Sequence, residues 1–191
     1  PIGGKDSMSG TFEDIKVPPT LISFAVTTEY VENIVTNDLK GKGKLGLIRT
    51  AYKEDGTIDL YELEDNYKKL IKEMRDGNVI SAIALDRKGL LADIYEQAVG
   101  NTGFSINCDN LYNPMFGSFV VEYKSDRDFI ENIGEFSDGI TVNGVSLDVK
   151  ELEDSYVHGL DEIFKPYEEI KYESLNPKKV ERKLKSDKPT E

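Results

Sequence analysis

Val79-Ile80-Ser81-Ala82-Ile83-Ala84-Leu85-Asp86-Arg87-Lys88-Gly89-Leu90 is the stretch on which the fold turns. Its first seven residues make the most continuous apolar run of the chain, and they read as a central strand buried on both faces. The run breaks at three charged residues and a glycine, after which the pattern from Leu90 to Val99 predicts a helix. A strand that runs through such a turn into a helix places the turn where sheets commonly present ligands. Asp86 then has two readings. It is a carboxylate suited to Mg²⁺, or it is a cap for free N–H groups of the helix that follows.

Upstream, Leu60, Leu63, Tyr67, Leu70, Ile71 and Met74 recur at three-to-four-residue spacing and predict an amphipathic helix from Leu60 to Arg75, ended by Asp76-Gly77-Asn78. Leu45 to Thr50 reads as a short strand that begins the main domain. Lys40-Gly41-Lys42-Gly43-Lys44 before it reads as a flexible basic link and a domain boundary. Thr20 to Val26 reads as a strand set off by Pro18-Pro19, and Glu29 to Asn33 is compatible with a helix.

Downstream, Phe104–Cys108 and Phe116–Tyr123 read as strands, Asp126–Asn132 as a short helix, and 148–154 and 155–164 as two helices. Between them, Ile140 to Leu147 reads as a hairpin, because Asn143-Gly144 between β-branched residues suits a type I′ turn. Strands and helices mix without strict alternation, which predicts an α+β fold, a mixed and mostly antiparallel sheet layered with helices. Beyond Pro166 the sequence is polar and charged, and 168–191 reads as a linker.

A formal charge of −12 over 191 residues argues against nucleic acid as a partner, since phosphate neutralisation needs a basic face. Cys108 is the single cysteine, so no disulfide forms within the chain and a reducing cytoplasm is the simplest home. Lying in an apolar strand, it reads as a small core residue. No apolar run has membrane length and no signal-peptide pattern is present, so no membrane partner is expected. The single histidine, His158, has no partner that would make it a catalyst and reads as structural.

The chain opens on Pro1-Ile2-Gly3-Gly4-Lys5-Asp6-Ser7-Met8-Ser9-Gly10-Thr11-Phe12. Glycines that let backbone N–H groups converge, one lysine and several hydroxyls make a loop that grips an anion, or the ordinary turn that leads into a capped helix. It is not a Walker A loop, because Asp6 follows Lys5. With Val17-Pro18-Pro19-Thr20-Leu21-Ile22-Ser23-Phe24-Ala25-Val26, the stretch closely resembles a segment in the second half of the phosphoribosylformylglycinamidine synthase family. The likeness is strongest from Pro1 to Val26 and continues in order to about Tyr167. Opening without methionine, the chain reads as a piece of the large single-chain form of such an enzyme.

The resemblance implies a ligase of purine biosynthesis that converts formylglycinamide ribonucleotide, ATP and glutamine into formylglycinamidine ribonucleotide, ADP, phosphate and glutamate, with Mg²⁺. It implies that 1–39 is the tail of an AIR-synthase-like N-terminal domain, 40–167 an AIR-synthase-like C-terminal domain, and 168–191 a linker towards a glutaminase domain. Gly3, Gly4, Lys5, Asp6, Ser7 and Lys88 would bind nucleotide or phosphate, and Asp86 would face the metal. The family's turn reads His-Asp-Arg-Ser-Asp-Gly-Gly-Leu. Here Asp86 and Arg87 match, Lys88 replaces the serine, and the second Asp and one Gly are missing.

Leu111, Asn113 and Gly117 match a family Leu-Phe-Asn-Glu-Glu-Leu-Gly segment in which Pro114 and Met115 replace the acids. The implied partners are the nucleotide, the phosphoribosyl substrate and the remaining domains of the parent, and the isolated chain is expected to be inactive. The strand at 20–26, parted from its sheet, is expected to fold back or to pair with a second copy. The alternative within the same resemblance is a silent scaffold that at most holds a nucleotide.

Overall fold

The computed structural model describes residues 10–18 and 24–164, which divide into two units, one up to Leu147 and one from Asp148. The first unit opens on a small antiparallel hairpin, β1 (Gly10–Phe12) with β2 (Ile15–Val17). Its body is built from β3 (Lys44–Ile48), α1 (Leu60–Arg75), β4 (Val79–Ala84), α2 (Leu90–Ala98), β5 (Gly103–Ile106), β6 (Phe119–Tyr123), β7 (Glu131–Ser137), β8 (Ile140–Val142) and β9 (Val145–Leu147). The last seven strands form one sheet in the order β4-β6-β3-β7-β5-β8-β9. Every ladder in it is antiparallel except β5 with β8. The fold is therefore mixed α+β around a large, mostly antiparallel sheet, and no helix among the described residues is long and apolar enough to cross a membrane.

α1 forms where its periodicity places it, and its start is capped by Asp59, whose carboxylate accepts from the N–H groups of Tyr61 and Glu62. Its apolar stripe lays Leu70 and Met74 on Ile48, Val79, Val121, Tyr123 and Ile130. Residues alternate across the pleat, so Glu122, between Val121 and Tyr123, points to the opposite face. There the segment from Leu39 to Gly43 covers the sheet, and the Leu39 N–H bonds to the Gln97 carbonyl of α2 at 3.1 Å. Asn143 and Gly144, at φ 49° and 80°, make the turn between β8 and β9 with the two positive φ angles that a type I′ turn requires.

Five expectations need correction. β4 is not a central strand but the first in the sheet order, with burial that alternates along it. Its sequence is continuously apolar because α1 and α2 both lie against it, so an edge in hydrogen bonding is covered on both faces. Its free side is also met by the segment that precedes β3, Ala82 N–H to the Thr36 carbonyl at 3.2 Å and Lys40 Nζ to the Ile80 carbonyl at 2.6 Å.

The helix expected from Asp126 to Asn132 is a turn that enters β7, since the apolar residues at 129, 130 and 133 mimic helical spacing while Ile130 and Ile133 are buried by the sheet. In the strand expected from Thr20 to Val26, residues 20–23 lie outside the described residues. Phe24, Ala25 and Val26 belong to no strand, and Phe24 and Val26 are each 87% exposed.

The basic link at 40–44 is not a free linker, because its backbone is tied to a buried carboxylate described below. The two helices expected over 148–164 are one, α3 (Val149–His158), capped by Asp148 and followed by turns through Phe164. Residues 168–191, the expected linker, lie outside the described residues.

Candidate functional site

At the carboxyl end of β4 the chain turns sharply before α2. The Asp86 carboxylate accepts the Lys88 backbone N–H at 2.6 Å through Oδ1, which closes a turn over two residues. Met115 N–H bonds to the Asp86 carbonyl at 3.2 Å, and Leu91 N–H to that of Leu111 at 3.1 Å, so the loop from Leu111 to Ser118 buttresses the turn. Gly89 makes that approach possible. It sits at φ 88°, and a Cβ there would fall 2.7 Å from the Tyr112 carbonyl carbon.

The Lys88 ammonium is enclosed by acids. Glu96 Oε2 is 2.5 Å from Nζ, Asp93 Oδ1 is 3.3 Å and Asp86 Oδ2 is 3.7 Å. The hydrogen bond to Glu96 is the main reason that the lysine is held well above its usual range. Desolvation opposes the shift and Asp93 adds to it. Asp93 is buried, and its second oxygen accepts the Asp86 N–H at 3.1 Å. Thus Asp86 caps its own turn, and Asp93 reaches back from the first turn of α2 to hold it.

A Mg²⁺ ion does not fit among these carboxylates as they stand, since the Lys88 ammonium already lies between them. Among the described residues no group of three or more His, Cys, Asp or Glu is placed to hold a metal. Gly3, Gly4, Lys5, Asp6 and Ser7 lie outside the described residues, so only Asp86 and Lys88 of the expected site are seen together.

Asp93 and Glu96 escaped the reading of the sequence, although a signal was there. Asp93 falls on the buried stripe Leu90, Ile94, Ala98 of its helix, and an acid on such a stripe needs a partner. Glu122 carried the same signal as a lone acid within Phe119-Val120-Val121-Glu122-Tyr123. It is fully buried, and it accepts N–H bonds from Lys40 at 2.6 Å, Lys42 at 2.6 Å and Gly43 at 2.9 Å. The converging amides of a Lys-Gly-Lys-Gly segment thus grip an anion supplied by the protein itself.

His158, the last residue of α3, pairs with Asp161 at 2.8 Å in an exposed position. Cys108 is buried, with Sγ 3.4 Å from the Arg49 guanidinium, and burial pushes its thiol up despite that charge. No family model, no curated protein and no solved structure matches this chain.

Proposed function

We propose that this chain is a catalytically silent, structural part of an ATP-dependent amidotransferase of the phosphoribosylformylglycinamidine synthase type, and that its Asp86 turn holds no nucleotide. The observation that carries the silent reading is the enclosure of Lys88 by Glu96, Asp93 and Asp86. A phosphate or a metal entering there would have to break that cluster. The wording of the opening stretch supplies the reaction of the parent, which joins nitrogen from glutamine to formylglycinamide ribonucleotide at the expense of ATP in the cytoplasm. A mostly antiparallel sheet with helices on it is compatible with an AIR-synthase-like C-terminal domain. The exposed apolar side chains Phe24, Val26, Tyr30 and Val31 offer surface to the parent's other domains or to a second copy.

Calorimetric titration with ADP, with and without Mg²⁺, tests the silent reading. No magnesium-dependent binding is expected. Saturable magnesium-dependent binding that Asp86→Ala abolishes would replace it with the nucleotide-holding reading, and turnover of formylglycinamide ribonucleotide with ammonia and ATP by the chain alone would overturn both. Co-expression with the remaining domains, glutaminase included, is expected to give glutamine-dependent synthesis only when this chain is present. The same synthesis without it would remove the chain from the enzyme.

A further inference from the structure

At the same end of the sheet as the Asp86 turn, the carboxyl end of β3 and the loop from Asn110 to Ser118 line an open cleft of about 290 Å³. Arg49, Thr50, Asn110, Asn113, Met115 and Ser118 are among its lining residues. No lining residue is acidic, in a chain that carries 36 acids. Local chemistry therefore departs from that of the molecule as a whole.

Several donors at the cleft have no protein acceptor among the described residues: those of Asn110 and Asn113 are exposed and that of Arg49 is partly so, which leaves them open to a solute, while that of Ser118 is buried. Arg49 engages Glu131 through Nε at 2.6 Å and Nη2 at 3.3 Å, and Nη2 also meets Cys108 Sγ at 3.4 Å. Among the described residues, Nη1 has no partner. Ser118, 1% exposed, accepts the Thr50 N–H at 3.0 Å on its Oγ, while no acceptor among the described residues takes its hydroxyl hydrogen. The Asn113 amide donates one hydrogen to Asn110 Oδ1 at 3.2 Å, which leaves its second N–H and the whole Asn110 amino group uncommitted. Against these stands Asn113 Oδ1 as an uncommitted acceptor. Thr50 is spoken for, since its hydroxyl donates to the Gly117 carbonyl at 2.7 Å.

A buried hydroxyl with no acceptor is costly, and a guanidinium nitrogen beside carboxamide donors matches the oxygens of a carboxylate or phosphate. Pairing with Glu131 offsets much of the Arg49 charge, which favours a small, singly or doubly charged ligand bound by directed hydrogen bonds over a polyanion. We propose that this cleft binds a small oxyanion-bearing molecule, a phosphomonoester or a carboxylate, through Arg49, Asn110, Asn113 and Ser118. The proposal goes beyond the silent reading of the Asp86 turn and uses none of that turn's residues.

The test is a ¹⁵N–¹H NMR titration of the full chain with glycerol phosphate and, separately, with acetate. Neither probe carries a nucleoside, and no Mg²⁺ is added, so the result stands apart from the ADP titration. Saturable shifts centred on Arg49, Thr50, Asn113 and Ser118 are expected with at least one probe, and the probe that gives them identifies the ligand as phosphate-bearing or carboxylate-bearing. Asn113→Leu, at an exposed position, is expected to weaken binding at least tenfold with an otherwise unchanged spectrum, and Ser118→Ala at least threefold. Arg49→Ala also strips Glu131 of its partner and is not the deciding variant. Absence of saturable shifts with both probes would overturn the proposal. So would binding that Asn113→Leu leaves intact, or shifts confined to the lysines at 40–44.

Discussion

Lys88, just before α2, and Glu96, in the second turn of that helix, face each other with Nζ 2.5 Å from Oε2. Asp93 and Asp86 complete the enclosure, and Asp93 is the buried member. Removing the cation strands a carboxylate that has little access to water. Lys88→Met is therefore expected to lower stability by about 1–3 kcal/mol, less than for a fully buried pair because the lysine is partly solvated. Urea unfolding of both forms measures it. A change within about 0.5 kcal/mol, the usual range for surface positions, would show that the cluster does not hold the turn.

Glu73 gives the fold a pH dependence. It is 5% exposed in α1, where Arg127 Nε donates to one oxygen at 2.9 Å and Asn78 Nδ2 to the other at 2.6 Å. Burial alone would raise its carboxyl, but the bonds from Arg127 and Asn78 outweigh burial and hold it below the ordinary 4.5. A carboxyl lowered in the folded state adds stability above pH 4.5, and that contribution is lost as pH falls through the lowered value. In Arg127→Met one of the two bonds that oppose burial is gone, so this acid-sensitive contribution shrinks and the deficit of the variant is expected to shrink on acidification. Unfolding free energies at neutral pH and about one unit below 4.5 decide it, and a constant deficit would contradict the assignment.

Glu122 ties the Lys40–Gly43 backbone to the sheet with three N–H bonds. In Glu122→Gln the amide group turns a donor towards those donors. The loss is expected to reach at least about 2 kcal/mol, because hydrogen bonds to a buried charge are among the strong ones. Hydrogen exchange gives the local signature. Protection at the Lys40, Lys42 and Gly43 amides is expected to fall more than protection in β6, and an even fall across both would mean that the segment is held by something else.

Gly89→Ala tests the junction of the turn with its supporting loop. The positive φ and a Cβ 2.8 Å from the Leu111 carbonyl oxygen together require the 111–112 backbone to move. Destabilisation of about 1–3 kcal/mol or more is expected. Thermal unfolding reads it, and a variant as stable as the parent would show that the loop yields freely.

The helix from Leu60 to Arg75, the hairpin at Asn143-Gly144 and the strands around 45–48, 79–84, 104–106 and 119–123 were legible in the sequence. Each rests on local information, a period in apolar residues or a turn that only certain residues can make. What the chain by itself did not determine is which strand lies beside which. A run as apolar as Val79–Ala84 reads as central, but apolarity records coverage of faces and not position in the ladder, and here two helices cover a strand at the edge.

The site divides in the same way. Asp86, Lys88 and the glycine between strand and helix are neighbours in sequence, and their proximity needed no tertiary structure. That Lys88 is already satisfied by Asp93 and Glu96, and that Glu122 is met by amides some eighty positions away, was decided by the packing of α2 and of the 39–43 segment on the sheet. Charge in a sequence has a sign but no partner. Only the tertiary structure determines whether a lysine or a glutamate is left to meet a ligand or is already paired within the protein.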